Sequence, residues 1–298
     1  MDDGYPIVTL FGSLSIRAAD GGWRTSLSGS AGEVFAYLVT NSGRGVRRER
    51  LADLFWTEAE PARARAALNT AVWRINKALA RLKGIQLCSA SDQLRLETSP
   101  ETRIDARVLE AAVRAAGGPD RNEPLDPDVR AALAEAADDY KGPFLDGSAS
   151  DWAIVERERL NALHLRGLGV LMQDAACRRD YEEALGYGRR ILAADPFRER
   201  VQCEVMWLYV QNGQRPQALR QFEAFRRQIA REMNVAPMAE TRALSDYIRR
   251  GADLHVDFGA LRDLASGADP VRRLHELAEQ ARREARPSWG RPETGADT

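Results

Sequence analysis

Between Ala62 and Leu82 the chain carries residues suited to one kind of chemistry, the neutralisation and reading of a polyanion. Leu68, Val72, Ile75 and Leu79 recur at helical spacing and share one face of a predicted helix. At about 100° of rotation per residue, the opposite face holds Arg63, Ala66, Thr70, Trp73 and Lys77, with Arg74 on its flank. Arg65, in the same helix, joins the candidate set. Arginine and lysine neutralise phosphates, and a short polar side chain such as Thr70 can meet a base edge. Trp73 has two readings. It packs on a groove wall or sugar-phosphate edge, or it fills a gap against the second half of the chain. Trp56 and Trp152 are expected to be core aromatics.

No constellation suited to catalysis accompanies this set. His164, His255 and His275 are isolated in the sequence, and each reads as a surface or helix histidine. Ser28-Gly29-Ser30-Ala31-Gly32 lacks the first glycine of a nucleophile elbow and follows no clear hydrophobic strand. There is no Gly-Lys-Ser/Thr phosphate loop, and the aspartates do not fall at strand ends as in a phosphoacceptor domain. Cys88, Cys177 and Cys203 are far apart and odd in number, which fits neither a metal site nor a disulfide framework. The expectation is a non-enzyme with no cofactor and no metal.

Charge supports the polyanion reading. The chain has 43 Lys and Arg against 44 Asp and Glu, yet Arg44–Lys83 holds 10 basic residues and only 4 acidic ones. A local basic segment in a neutral protein is a nucleic-acid footprint, although a solvated helix face has the same composition. No apolar run is long enough to span a bilayer and the N-terminus is acidic, so a cytoplasmic chain without a membrane partner is expected.

The elements that must hold these residues follow from periodicity. Residues 5–16 alternate and read as a strand. Asp20-Gly21-Gly22 is a turn, and Trp23–Leu27 returns as a second strand. Glu33–Val39 and Arg47–Phe55 read as two short helices, the first stopped by Asn41-Ser42-Gly43-Arg44-Gly45. The third helix follows Pro61. Ile85–Cys88 and Leu94–Glu97 then form a hairpin about a Ser89–Gln93 turn, with Arg95 placed to reach a neighbouring phosphate or the minor groove. Sheet, three helices and a hairpin are the order of a winged helix-turn-helix, with the third helix as groove reader and the hairpin as wing.

After Pro100 the pattern is helical throughout. From Asp105 to Arg250 no convincing strand is found. Ala184 recurs as Ala218 and Gly188 as Phe222, a 34-residue spacing of tetratricopeptide (TPR) type, with Tyr209 and Gly213 in the second unit. Asp151–Arg178 and Pro237–Arg250 would cap this pair, and a generic helical bundle is the competing reading. The fold class is therefore mostly α with a small β component. The expected domains are 1–104, a winged helix-turn-helix that folds and binds DNA as a fragment; 105–251, TPR-like; and 252–298, a charged and partly disordered tail. Within the tail Val271–Glu284 could form a helix, and Pro287 onward is rich in Pro and Gly.

The first half of the chain carries, in order, Leu10-Phe11-Gly12, Arg48-Glu49-Arg50-Leu51-Ala52-Asp53-Leu54-Phe55-Trp56, Ala64-Arg65-Ala66-Ala67-Leu68 and Val72-Trp73-Arg74-Ile75. Further along come Gly142-Pro143-Phe144-Leu145, Asp151-Trp152 and Tyr181–Phe225. Taken together in this order, these segments resemble the short members of the Streptomyces antibiotic regulatory protein (SARP) family. That family joins an OmpR-like winged helix to a bacterial transcriptional activator domain. The resemblance implies an activator that binds direct repeats in promoter DNA and contacts RNA polymerase holoenzyme, as a homodimer or as protomers side by side. The chain departs from the family at Asn76, where arginine is frequent, at Thr57, where proline is frequent, and in a wing without a glycine-aromatic pair. The alternative is a TPR-like interaction scaffold whose winged helix has lost specific DNA binding.

Overall fold

The computed structural model describes residues 5–18, 24–25, 27–118 and 123–251, which divide into two compact units. The first comprises residues up to Gly117 together with Pro127–Gly167. The second takes Leu168 onward and the short stretch Gly118–Asp126. The tail at 252–298, with the helix expected at Val271–Glu284, lies outside the described residues, as does the turn at Asp20-Gly21-Gly22.

In the first unit the chain begins with β1 (Pro6–Thr9), β2 (Ser15–Ala18) and β3 (Arg24–Thr25). The antiparallel pairing puts Val8 opposite Ile16 and Ile7 opposite Arg17, so the buried side chains fall on one face. Next come α1 (Gly29–Thr40), β4 (Val46–Arg47), α2 (Arg48–Phe55) and α3 (Pro61–Leu79). The hairpin β5 (Ile85–Ala90) and β6 (Gln93–Thr98) follows, and then β7 (Arg103–Ile104). β7 adds to the first sheet parallel to β1, giving the order β3-β2-β1-β7, while β4 adds to the hairpin, giving β4-β6-β5. Gly84 starts the hairpin at φ +75, and a Cβ there would meet the Ser99 Oγ at 2.4 Å and the Tyr5 ring at 2.7 Å. Only glycine fits both demands.

The core of this unit is laid down by α1 and α3. Val34, Phe35 and Leu38 of α1 are buried, as are Leu68, Ala71, Ile75 and Leu79 of α3. Thr40 and Asn41 end α1 by hydrogen bonding back to the Tyr37 carbonyl. Pro61 opens α3 in its first turn, where a missing N–H costs nothing.

The unit does not stop at residue 104, where the sequence pattern changes. α4 (Asp105–Ala116), α5 (Pro127–Asp138) and the first part of α6 (Asp151–Cys177) pack into the same body. Asp105 is buried, and its carboxylate accepts from Leu10 N at 2.8 Å, Phe11 N at 2.9 Å and Ala106 N at 2.7 Å. Burial outweighs those three donors and raises its pKa to about 6. The loop after α5 is stitched to the turn between β1 and β2 by Gly12 N to Pro143 O, Leu145 N to Leu10 O and Asp146 N to Gly12 O, each 2.9 Å. Arg157 of α6 holds that loop from the other side, donating to the carbonyls of Phe144, Leu145 and Ser148. Leu145 keeps φ +45 under this grip.

Aromatic rings fill the space between. Phe144 is fully buried and meets Trp152, which also packs edge-on against Tyr37 and Phe55. Phe11 packs on Tyr140, and Tyr140 stacks on His164 with ring centroids 4.0 Å apart. His164 is thus a buried helix residue and Trp152 a packing one, while Trp56 is half-buried against Phe55.

The second unit is helical: the end of α6, α7 (Tyr181–Ala194), α8 (Glu199–Gln211), α9 (Arg215–Met233) and α10 (Ala239–Arg250). Asp180 caps α7 by accepting from Glu183 N at 3.1 Å. The positions that repeat at 34 residues are contact positions. Ala184 and Ala218 are fully buried and Phe222 nearly so. A Cβ on Gly188 would lie 2.5 Å from Val205 Cγ2, so α7 and α8 pack against a bare backbone there. Phe222 joins Met206, Trp207, Leu244, Tyr247 and Ile248 in the core that α8, α9 and α10 share. No helix of the described residues is long and apolar enough to cross a membrane. The chain is mostly helical with a small sheet component.

Candidate nucleic-acid interface

Helix α3 has two unlike faces, and the sequence determines which is which. Five apolar residues, Ala64, Leu68, Ala71, Ile75 and Leu79, are buried. Arg63, Arg65, Thr70, Trp73, Arg74 and Lys77 are all exposed. The structure therefore brings six of the seven candidate residues onto the solvent side of one helix. Burying the apolar stripe turns the basic residues outward by helical geometry alone.

Their local partners leave the charge available. Among the described residues the side chains of Arg63 and Arg74 make no hydrogen bond or ion pair. Arg65 donates only to the carbonyl of Pro61, at 3.3 Å. The Thr70 hydroxyl donates back to the Ala66 carbonyl at 3.1 Å, so its outward capacity is that of an acceptor. Trp73 is 60% exposed, and the Lys77 ammonium sits 5.0 Å from its ring centre. That contact orders both side chains on the open face and leaves the ammonium its charge.

Arg95, the seventh candidate, is on the hairpin strand β6 and exposed, but it pairs with Glu97 at 2.5 Å. Hydrogen bonds from Gln86 and Cys88, then the charge of Arg95, hold the Glu97 carboxyl below its usual range. Arg95 therefore belongs to a different element from the other six, and its charge is matched by a neighbour. Asn76 lines a cleft of about 600 Å³ between the end of α3 and the hairpin, together with Leu79, Ala80, Ile85, Gln86 and Leu87. It occupies the flank toward the hairpin, away from Lys77 and Thr70.

Sequence periodicity missed a residue that joins these elements. Arg48, at the start of α2, bonds Asn69 of α3 and Ser89 of β5 at once. Its partners are 21 and 41 residues away in the chain, so no local pattern signals it. β4 brings Arg47 beside it, exposed. Among the described residues no group of acidic, histidine or cysteine side chains could hold a metal ion.

Comparison with known proteins bears on this arrangement. The family model described as "Bacterial transcriptional activator domain" matches residues 104–249. Regulatory protein AfsR of Streptomyces coelicolor is 28% identical over 219 residues, covering 72% of this chain and 21% of AfsR. The chain thus spans about a fifth of that relative. Transcriptional regulatory protein EmbR of Mycobacterium tuberculosis is 26% identical over 271 residues, covering 82% of this chain and 67% of EmbR. A solved structure of that EmbR, in complex with a low-affinity phosphopeptide, superposes with a TM-score of 0.65 over 88% of this chain and 69% of that one. At 23% identity this is a likeness of fold.

Proposed function

We propose that this chain is a SARP-type regulator, similar to AfsR and EmbR and carrying a bacterial transcriptional activator domain, and that it binds double-stranded DNA sequence-specifically. The first unit is read as an OmpR-like winged helix-turn-helix, with α3 in the major groove and the β5–β6 hairpin as the wing. One observation carries the reading: the face of α3 opposite its buried stripe exposes Arg63, Arg74 and Lys77 with no carboxylate partner among the described residues, around Trp73 and Thr70. A basic, partly aromatic outer face on the last helix before a hairpin suits docking on a phosphate-lined groove.

In this reading Lys77 and Arg63 neutralise phosphates, while Thr70 and Arg74 meet base edges. Trp73 lies against the sugar-phosphate wall. Activation follows from protomers on direct promoter repeats, with the helical second unit meeting a neighbouring protomer or RNA polymerase holoenzyme. Helical-repeat surfaces are generally binding surfaces.

The test is affinity for a promoter duplex from the chain's own gene neighbourhood and for a scrambled duplex, across a salt series. Lys77→Ala should weaken binding to both alike and lower the salt slope by about 0.9, as one lost phosphate contact does. Thr70→Ala should change preference between sites by about 1–3 kcal/mol at one base pair. If both variants bind like the parent with unchanged slopes, this face does not touch DNA and the scaffold reading replaces it.

A further inference from the structure

The junction of α2, α3 and the hairpin holds three side chains that the outer face of α3 does not explain. Arg48 Nη1 donates to Asn69 Oδ1 at 3.0 Å, and Nη2 donates to Ser89 Oγ at 3.1 Å. Its backbone N donates to the Asp92 carbonyl in the hairpin turn at 2.7 Å. Arg48 is half-buried, while Asn69 and Ser89 are exposed. A single guanidinium thus links the first residue of one helix to the open side of another and to a strand.

The polarity of these bonds determines what remains free. A guanidinium can only donate. The amide oxygen of Asn69 must therefore face Arg48, which turns its NH2 group away. Ser89 Oγ accepts from Arg48, so its own hydrogen is free to donate elsewhere. Arg48 pairs with no carboxylate among the described residues, so its charge stays whole. The cluster is ordered by neutral acceptors and offers outward a positive charge and hydrogen-bond donors. That is the complement of an anion with several acceptor oxygens.

We propose that Arg48, Asn69 and Ser89 clamp one backbone phosphate of DNA, on the strand that passes between α3 and the hairpin. This rests on the DNA-binding reading above. A helix in the major groove and a hairpin in the adjacent minor groove are separated by one sugar-phosphate strand. A residue bonded to both elements sits where that strand crosses. Phosphate contacts fix register and carry no base information, so the clamp sets the register at which Thr70 and Arg74 meet the bases. Because its three members already hold one another, little side-chain freedom is lost when DNA arrives.

The experiment uses the full chain, with promoter and scrambled duplexes over a salt series and a melting curve for each variant. Arg48→Ala should weaken binding to both duplexes by the same factor, about tenfold or more, and lower the salt slope by about 0.9. Asn69→Asp distinguishes a clamp from a strut. It keeps an acceptor for Arg48, so the junction stays joined, but it cancels the charge and removes the outward NH2. The clamp requires Asn69→Asp to melt at or above the parent temperature and to bind both duplexes about tenfold more weakly, with a reduced slope. Parent-like binding by Asn69→Asp would leave Arg48 as a strut and overturn the proposal, even if Arg48→Ala melts too low to assay. A loss confined to the promoter duplex would make the group a base reader and overturn it equally. In both cases the parent's own salt-dependent binding still stands, whereas parent binding that ignores salt would remove the DNA reading itself.

Discussion

Phe144→Ala should disturb a helix more than 60 residues upstream of it by the same free energy as its own neighbourhood. The side chain is fully buried, faces Trp152 with ring centroids 5.9 Å apart, and sits in a backbone bridge to Phe11. Truncating a buried phenylalanine costs about 3–5 kcal/mol, from lost burial and the cavity left behind. Trp152 in turn packs on Tyr37 of α1 and Phe55 of α2, so the cavity borders both halves of the first unit. If residues up to 117 and 127–167 open together, the slowest-exchanging amides of α1, α3 and α4 should all lose protection by roughly a hundred- to several-thousand-fold, as 3–5 kcal/mol requires. Hydrogen exchange resolved by segment reads this directly. Unchanged protection in α1 and α3 beside a large loss in α4 and α6 would refute the coupling and restore an independent fold for residues 1–104. A fragment ending at 104 tests the same point. It lacks the Asp105 acceptor for Leu10 N and Phe11 N and the three loop bonds at Leu10 and Gly12, and it should fail to melt cooperatively.

Other perturbations act through separate mechanisms. Leu68→Ala, which empties a buried site on α3, should cost about 2–5 kcal/mol in chemical denaturation. Asp105 titrates near 6 when folded against 3.8 unfolded, so the folded chain keeps a proton that the unfolded chain has released between those values. Its contribution is present in full below about pH 4 and is lost as the pH rises through 6. The stability of the parent minus that of Asp105→Asn should therefore fall by about 2–3 kcal/mol from pH 4 to 7, and a flat difference would contradict it. Gly188→Ala would drive a methyl to within 2.5 Å of Val205 Cγ2, and should lower the stability of the helical second unit by about 1–3 kcal/mol despite alanine's better helix propensity.

The elements legible in the sequence were those with repeating apolar periods. The α3 stripe at Leu68, Val72, Ile75 and Leu79 was enough to place its helix and orient its basic face, because burial on one side leaves only the other for charge. The hairpin followed from two alternating runs about a polar turn. β4 and β7 did not, since two-residue strands have no period and exist only through their partners, β6 and β1. The change of composition near residue 100 matches the start of the family domain at 104. It does not mark where packing changes, because Asp105, Phe144 and Trp152 act across long separations that no local window contains. For the same reason Arg48 was visible only as part of a charged run.

The parallel strand β7 and the carboxylate of Asp105 have a consequence in time. During synthesis β1 and β2 emerge early, but Leu10 N waits for an acceptor 95 residues downstream. At about 5–20 residues per second the edge of β1 stays open for roughly 5–20 s before β7 can cover it. The loop that carries Phe144 comes later still. Over that interval the nascent chain presents one open edge of an apolar strand, Ile7 and Val8 among its residues, to any other chain nearby. Slow translation or early release between residues 20 and 145 should favour aggregation over folding, and a chaperone that binds extended apolar segments would find its substrate there.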